Sequence, residues 1–280
     1  MGQERIIHAA LLGAGTVGSG VYKLVKDLEE EIISKTGARL VVDKILVRDT
    51  TKAREGIPSE LLIDRWDEIL NDPQIEIVIE VMGGIRPALT WLEEALRAGK
   101  QVVTANKDLL AEYGEQLFDA AEAGKCDLHF EAAVAGAIPI IRPLRQSLVA
   151  SELTEVMGIV NGTTNYILTR MTEDGMGYEE ALALATKLGY AESDPTADVE
   201  GYDAGRKVAI MASIAFNSNV TFSQVYTEGI THITAEDIRY AKEFGYVIKL
   251  IGMTRLTEGG VEVKVHPMLL PEHHPLSTVR

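Results

Sequence analysis

The 280 residues carry 42 acidic and 27 basic side chains, a formal net charge of −15, which argues against a nucleic-acid or anionic-membrane surface. Hydrophobic residues make up 46% and charged residues 25%, the balance of a globular chain with room for two domains and a large buried core. The single cysteine, Cys126, excludes an internal disulfide and fits a reducing compartment. With no apolar h-region in residues 1–5 and no apolar run of membrane-spanning length, a cytoplasmic protein is expected.

Residues 6–12 form an apolar run of strand length that delivers into Gly13-Ala14-Gly15-Thr16-Val17-Gly18. Val17, Val21, Leu24, Val25 and Leu28 then recur at helical spacing. A G-x-G-x-x-G alone is weak; between a strand and an amphipathic helix it meets the context of a dinucleotide fingerprint. Gly13, Gly15, Thr16, Val17 and Gly18 are therefore candidate cofactor contacts, against the plainer reading of a glycine-rich turn that binds nothing. Residues 40–47 read as a second strand ending at Arg48-Asp49, with Lys52 and Arg54 close behind. An acid there suits a ribose 2′-hydroxyl and an arginine a 2′-phosphate. The basic residues favour NADP(H) over NAD(H), with Asp49 keeping the alternative open.

Residues 75–82 are almost wholly apolar, as a strand buried in a parallel sheet should be, and lead to Gly83-Gly84, small enough for a ligand to approach the backbone. Residues 87–98 pattern as a helix punctuated by Pro87 and Gly99. The next strand, 101–104, runs into Ala105-Asn106-Lys107. Ligands of open α/β sheets bind beyond such strand ends, which marks Gly83, Thr104 and Lys107, although Lys107 also reads as a surface lysine opening a helix. Residues 127–132 are expected to be the last strand of a parallel, doubly wound sheet. Glu131 near its end and the carbonyls of the following loop, 134–139, offer oxygen ligands to a hard cation.

Beyond Pro143 the alternation stops. Strand patterns at 153–160, 247–255 and 261–266 and helices at 178–188 and 235–244 predict an α+β second domain. Asn161-Gly162-Thr163-Thr164-Asn165 reads as a turn capping a helix, Gly259-Gly260 as a hairpin turn, and His273-His274 as a polar loop rather than a zinc site. The expected organisation is a nucleotide-binding domain over 1–141 and a substrate-binding and oligomerisation domain over 142–280. The densest chemistry lies in 189–210, GYAESDPTADVEGYDAGRKVAI, where Glu192, Asp194, Asp198 and Glu200 precede an apolar helix. Asp203 and Lys207 stack four apart on one helical face, and desolvation there makes a lysine a better proton donor near neutrality. Taken alone the pair also reads as an exposed ion pair.

Together the motifs GAGTVG, VMGG, TANK, EAAVAGAIP, NGTTNYIL, GYAESDPTADVEGYDAGRK and VHPMLLPEHHPL resemble homoserine dehydrogenases over essentially the whole chain. The long acidic motif is specific to that family. The resemblance implies NAD(P)H-dependent reduction of aspartate semialdehyde to homoserine, on the route to threonine, methionine and isoleucine, by a homodimer or homotetramer. It implies that Lys207 is the general acid and Lys107 a second catalytic lysine touching cofactor and substrate. Asp203, Asp198 and Glu192 would hold the substrate amino group and shape the site, with Gly189, Gly162 and Thr163 lining it. Glu131 and the carbonyls of Val134, Gly136 and Ile138 match a sodium site. Family members continue past VHPMLLPEHHPL, so the chain is expected to lack a C-terminal return segment and any ACT regulatory domain. Two rivals remain. An aspartate-semialdehyde dehydrogenase needs an activated cysteine nucleophile, which Cys126 is badly placed to be. A nucleotide sensor that has lost turnover sits uneasily with intact Lys107, Asp203 and Lys207.

Overall fold

A computed structural model describes residues 5–280. The chain divides into two compact units, Met1–Gly136 and Ala137–Arg280, a few residues ahead of the boundary expected at 141. Among the described residues no helix is long and apolar enough to cross a membrane.

The first unit begins with β1 (Arg5–Leu12), α1 (Thr16–Asp27), α2 (Glu29–Thr36) and β2 (Ala38–Leu46). It continues through β3 (Leu62–Ile63), α3 (Asp67–Leu70), β4 (Ile75–Glu80), α4 (Ala88–Arg97), β5 (Gln101–Thr104), α5 (Lys107–Gly124) and β6 (Leu128–His129). All pairings are parallel, in the order β3-β2-β1-β4-β5-β6. The order reverses beside β1, where doubly wound folds open a ligand crevice. One side of the sheet is sealed by Leu11, Val42 and Ile45 against Tyr22 and Val25 of α1, each large side chain contributing about 1.5–3 kcal/mol by its burial. The expected sixth strand is much shorter than 127–132. Only Leu128 and His129 pair with β5. Phe130 turns out of the sheet at φ −149°, ψ 33°, and Glu131–Ala133 coils into a 3₁₀ turn.

The second unit contains β7 (Glu155–Gly158), α6 (Gly162–Asp174), α7 (Tyr178–Lys187), α8 (Thr196–Val199) and α9 (Tyr202–Ala215). β8 (Tyr226–Thr227), α10 (Ala235–Glu243), β9 (Tyr246–Thr257) and β10 (Gly260–Pro271) follow. These strands make a mixed sheet ordered β7-β9-β10-β8, with β9 and β10 a long hairpin closed at Thr257 and Gly260. The α/β-plus-α+β architecture is thus the one the patterning predicted. Helix α9 lies against β9, and a Cβ on Gly252 of β9 would come within 2.4 Å of Val208 Cγ2. That contact seats the helix and the lysine before it, Lys207.

Lys249 of β9 is buried at 1% exposure. Its ammonium donates to Asn165 Oδ1 (2.8 Å), Thr169 Oγ1 (3.1 Å) and Val279 O (2.6 Å). Burial, then the nearby Arg280 charge, pushes its pKa down to about 8, against the opposing pull of Glu173.

Candidate active site

In the first unit the fingerprint glycines have separate physical reasons. Gly13 sits at φ +102°, a region side chains rarely adopt. A Cβ on Gly18 would lie 2.1 Å from Gly13 O, so only glycine lets α1 close on the turn. A Cβ on Gly15 would meet no heavy atom within 4 Å; the space beside that backbone is open, as approach of a dinucleotide pyrophosphate requires. Thr16 and Val17 open α1, whose first N–H groups have no intrahelical acceptor. The residues present therefore fit the cofactor that the fingerprint implies.

The other cofactor candidates are joined by a network that the sequence did not disclose. Glu80, fully buried at the end of β4, accepts the N–H groups of Met82 (2.8 Å) and Gly83 (3.1 Å) and the hydroxyl of Thr104 (2.6 Å). Thr104 Oγ1 in turn accepts from Asn106 N at 3.0 Å. Asn106 Nδ2 donates to Gly84 O at 2.6 Å, while its Oδ1 caps α5 through Leu109 N at 3.1 Å. One chain of hydrogen bonds thus fixes the Gly83-Gly84 loop, the end of β5 and the start of α5, where Lys107 stands. A buried acid at the end of an apolar strand was the signal available for Glu80; Asn106 is legible as an N-cap.

At the end of β2, Arg48 is exposed. The Asp49 carboxylate is occupied by Thr51 N (2.9 Å) and Thr51 Oγ1 (2.6 Å), and those bonds, the hydroxyl's first, hold its pKa below the usual value. Arg54 clamps the same turn by donating to the carbonyls of Asp49 and Lys52. Cys126 donates to Leu96 O at 3.2 Å, and burial, then Asp127, raises its pKa, the opposite of what activates a thiol nucleophile.

In the second unit, Lys207 Nζ donates to Asp203 Oδ2 at 2.5 Å and to Val160 O at 2.9 Å. The side chains are only 19% and 10% exposed, so the pair is not the solvated surface bridge that i,i+4 spacing alone allows. Asn161 Nδ2 donates to the same Asp203 Oδ2 at 2.9 Å and to Asp198 Oδ1 at 2.7 Å. Its Oδ1 accepts Thr164 N and Thr164 Oγ1, both at 2.8 Å, and caps α6. Asp198, Asp203 and Lys207 are therefore brought together, through an asparagine whose sequence context shows only a capping turn.

Gly162 and Thr163 form the first turn of α6, and Thr163 Oγ1 donates to Tyr190 O at 2.8 Å. That bond, with Tyr166 stacked on Tyr190 at 4.6 Å, ties the loop after α7 to the helix start. Gly189 opens this loop at φ +81°. Glu192 stands exposed in it, and no hydrogen bond among the described residues joins it to the cluster. Val134 is buried, and the backbone turns left-handed at Ala135 (φ +60°) and Gly136 (φ +57°). Glu131 heads the preceding 3₁₀ turn, while Ile138 falls in the second unit and is 71% exposed. His274 Nδ1 accepts Leu276 N at 3.1 Å, a capping role.

Comparison with known proteins adds a family pattern to this geometry. A family model described as homoserine dehydrogenase, NAD binding domain, matches residues 13–131, and one described as homoserine dehydrogenase matches residues 139–280. The chain is 48% identical to the homoserine dehydrogenase of Bacillus subtilis (strain 168) over 98% of its own length and 64% of that protein's. The crystal structure of a homoserine dehydrogenase from Thiobacillus denitrificans superposes with a TM-score of 0.92 at 45% identity, covering 98% of this chain and 64% of that one. One from S. aureus at pH 8.5 superposes at 0.88 with 41% identity, over 99% and 67%. The chain thus spans about two-thirds the length of the curated relatives it matches.

Proposed function

The chain belongs to the homoserine dehydrogenase family, and from that premise we propose that it catalyses the reversible reduction of L-aspartate 4-semialdehyde to L-homoserine with a nicotinamide cofactor. The observation that carries this reading is the half-buried cluster in which Asn161, at the head of α6, joins Asp203 and Lys207 of α9 to Asp198 of α8. A bound nicotinamide supplies the hydride in the reducing direction. Two acceptors hold the Lys207 ammonium among the described residues, which leaves its third hydrogen for the substrate carbonyl oxygen. As negative charge grows on that oxygen the ammonium stabilises it, then gives up its proton to form the hydroxyl. In the reverse direction the neutral amine takes the hydroxyl proton. Asp203 keeps Lys207 oriented and, with Asp198, offers acceptors to the substrate ammonium. The N–H groups of Gly162 and Thr163, which helix geometry leaves without intrahelical acceptors, suit its carboxylate. Gly189 and Glu192 border the same substrate, and Lys107 acts as the second catalytic lysine.

Gly13, Gly15, Thr16, Val17, Gly18, Gly83, Thr104 and Lys107 are the proposed cofactor contacts. NADP(H) is the favoured cofactor because the Asp49 carboxylate is engaged within its own turn, which leaves Arg48 to meet a 2′-phosphate. A sodium ion held by Glu131 and the carbonyls of Val134, Gly136 and Ile138 is part of the same proposal; the donors are all oxygen, as a hard cation prefers, and the left-handed turn at Ala135 and Gly136 re-aims successive carbonyls. A homodimer or homotetramer is the proposed assembly. The test is loss of NADPH absorbance on adding aspartate semialdehyde, repeated with NADH. Rapid loss with NADPH is expected; tight cofactor binding without turnover, in this chain and in one extended at its C-terminus, refutes the reading.

A further inference from the structure

We propose that Asn161 is the positioning residue that makes Asp198 and Asp203 a single receptor for the substrate ammonium, an assignment that rests on the homoserine reading above. Asn161 is 6% exposed and every hydrogen-bonding site of its amide is used. Its Oδ1 takes two bonds from Thr164, and the two Nδ2 hydrogens go to Asp198 Oδ1 and Asp203 Oδ2. The orientation of the amide follows, because the flipped form would set an oxygen against two carboxylates and an NH₂ against the Thr164 N–H.

Capping α6 does not by itself call for asparagine. Serine and aspartate cap a helix about as well, and neither carries two hydrogens on one atom. The bridge explains the choice. Two carboxylates side by side repel and turn toward water. The Asn161 NH₂ gathers them without adding a charge of its own, while the Lys207 ammonium stays on Asp203 Oδ2. The same turn also holds the proton donor, since residue 160 accepts Lys207 through its carbonyl while residue 161 holds Asp203 through its side chain. Asn161 therefore fixes the distance between where the ammonium is bound and where the proton is delivered.

The test uses Asn161→Ser, with Asn161→Thr as the second variant; both retain a hydroxyl cap for Thr164 and neither can bridge two carboxylates. Affinities for homoserine and for 4-hydroxybutanoate, the same molecule without its ammonium, are measured by calorimetry on the cofactor-loaded chain, beside KM and kcat for homoserine oxidation. The wild type prefers homoserine. In a folded variant that preference falls by about tenfold or more, KM rises more than kcat falls, and binding of 4-hydroxybutanoate changes little. Equal weakening of both ligands, or an undiminished preference, overturns the assignment and leaves the dehydrogenase reading standing. A wild-type chain with neither turnover nor preference overturns both.

Discussion

Gly252 offers a test of how the fold aims Lys207. It sits in β9 opposite Gly158, with a backbone outside the left-handed region, so alanine meets no torsional strain. It meets atoms instead: the new Cβ would lie 2.4 Å from Val208 Cγ2 and 3.2 Å from Val160 Cγ2. Val208 follows Lys207 in α9, and Val160 supplies the carbonyl that holds the Lys207 ammonium. One methyl group therefore presses on both elements that orient Lys207. Overpacking of this kind costs about 1–3 kcal/mol, and the stiffer unfolded chain returns about 0.4–1 kcal/mol. The net loss of about 1–2 kcal/mol lowers Tm by roughly 2–8 °C. Turnover should suffer more, because a shift of about 1 Å in a catalytic group costs up to about 100-fold. Thermal melts and NADPH-linked kinetics on Gly252→Ala measure the two effects. Adding Val208→Ala removes the clashing methyls and should return part of the activity lost. A Gly252→Ala chain with wild-type Tm and wild-type kcat would refute the reasoning.

Lys207→Ala should lower turnover by about 10²–10⁴-fold with NADPH affinity, read by fluorescence, unchanged; a variant that stays active would remove Lys207 as the proton donor. Arg48→Ala should raise KM for NADPH by about 10- to 100-fold while leaving NADH nearly untouched, since it removes a charge-assisted bond worth about 1.5–3 kcal/mol; equal effects on the two cofactors would put the 2′-phosphate elsewhere. Lys249 gives a pH prediction. Its folded pKa of about 8 lies below its usual 10.5, so between these values the unfolded chain binds the extra proton and stability rises with pH. The penalty for burying the charge is complete below pH 8 and is relieved toward 10.5, at up to about 1.4 kcal/mol per pH unit. Denaturant unfolding of wild type and Lys249→Met from pH 7 to 10 should therefore show the wild type gaining on the variant; parallel curves would mean that the lysine titrates as it does in water.

Much of the fold was legible because its strands and turns carry local signals. The run into GAGTVG is a strand, a turn and a helix start that need no distant partner, and Thr234 even closes a capping box with Asp237 at the head of α10. β3 and β8, two residues each, escaped notice since strands so short exist only through the neighbour they pair with. β6 is shorter than its composition suggests for a related reason. Asp127 to Ala132 looks like a strand by composition, yet pairing stops at His129 because the chain turns away at Phe130.

The site divides along the same line between local and distant partners. Asp203 and Lys207 were visible because helical spacing puts them together, but spacing cannot say whether a pair is wet or buried. That is decided by the Val160-Asn161 turn, more than 40 residues away in sequence, whose carbonyl and amide meet them. Glu80 repeats the pattern in the nucleotide-binding half, where a residue 24 positions away, Thr104, completes its coordination. In both halves some of the residues expected to touch ligand stand out by motif and spacing and others only by family resemblance, while those that hold them still carry neither signal. A positioning residue is defined by contacts across the fold, and a sequence states such contacts only once the chain has closed on itself. Asn161 is the sharper case, because its local role as a helix cap was correctly read and fully sufficient, and so hid the second role carried by the other end of the same amide.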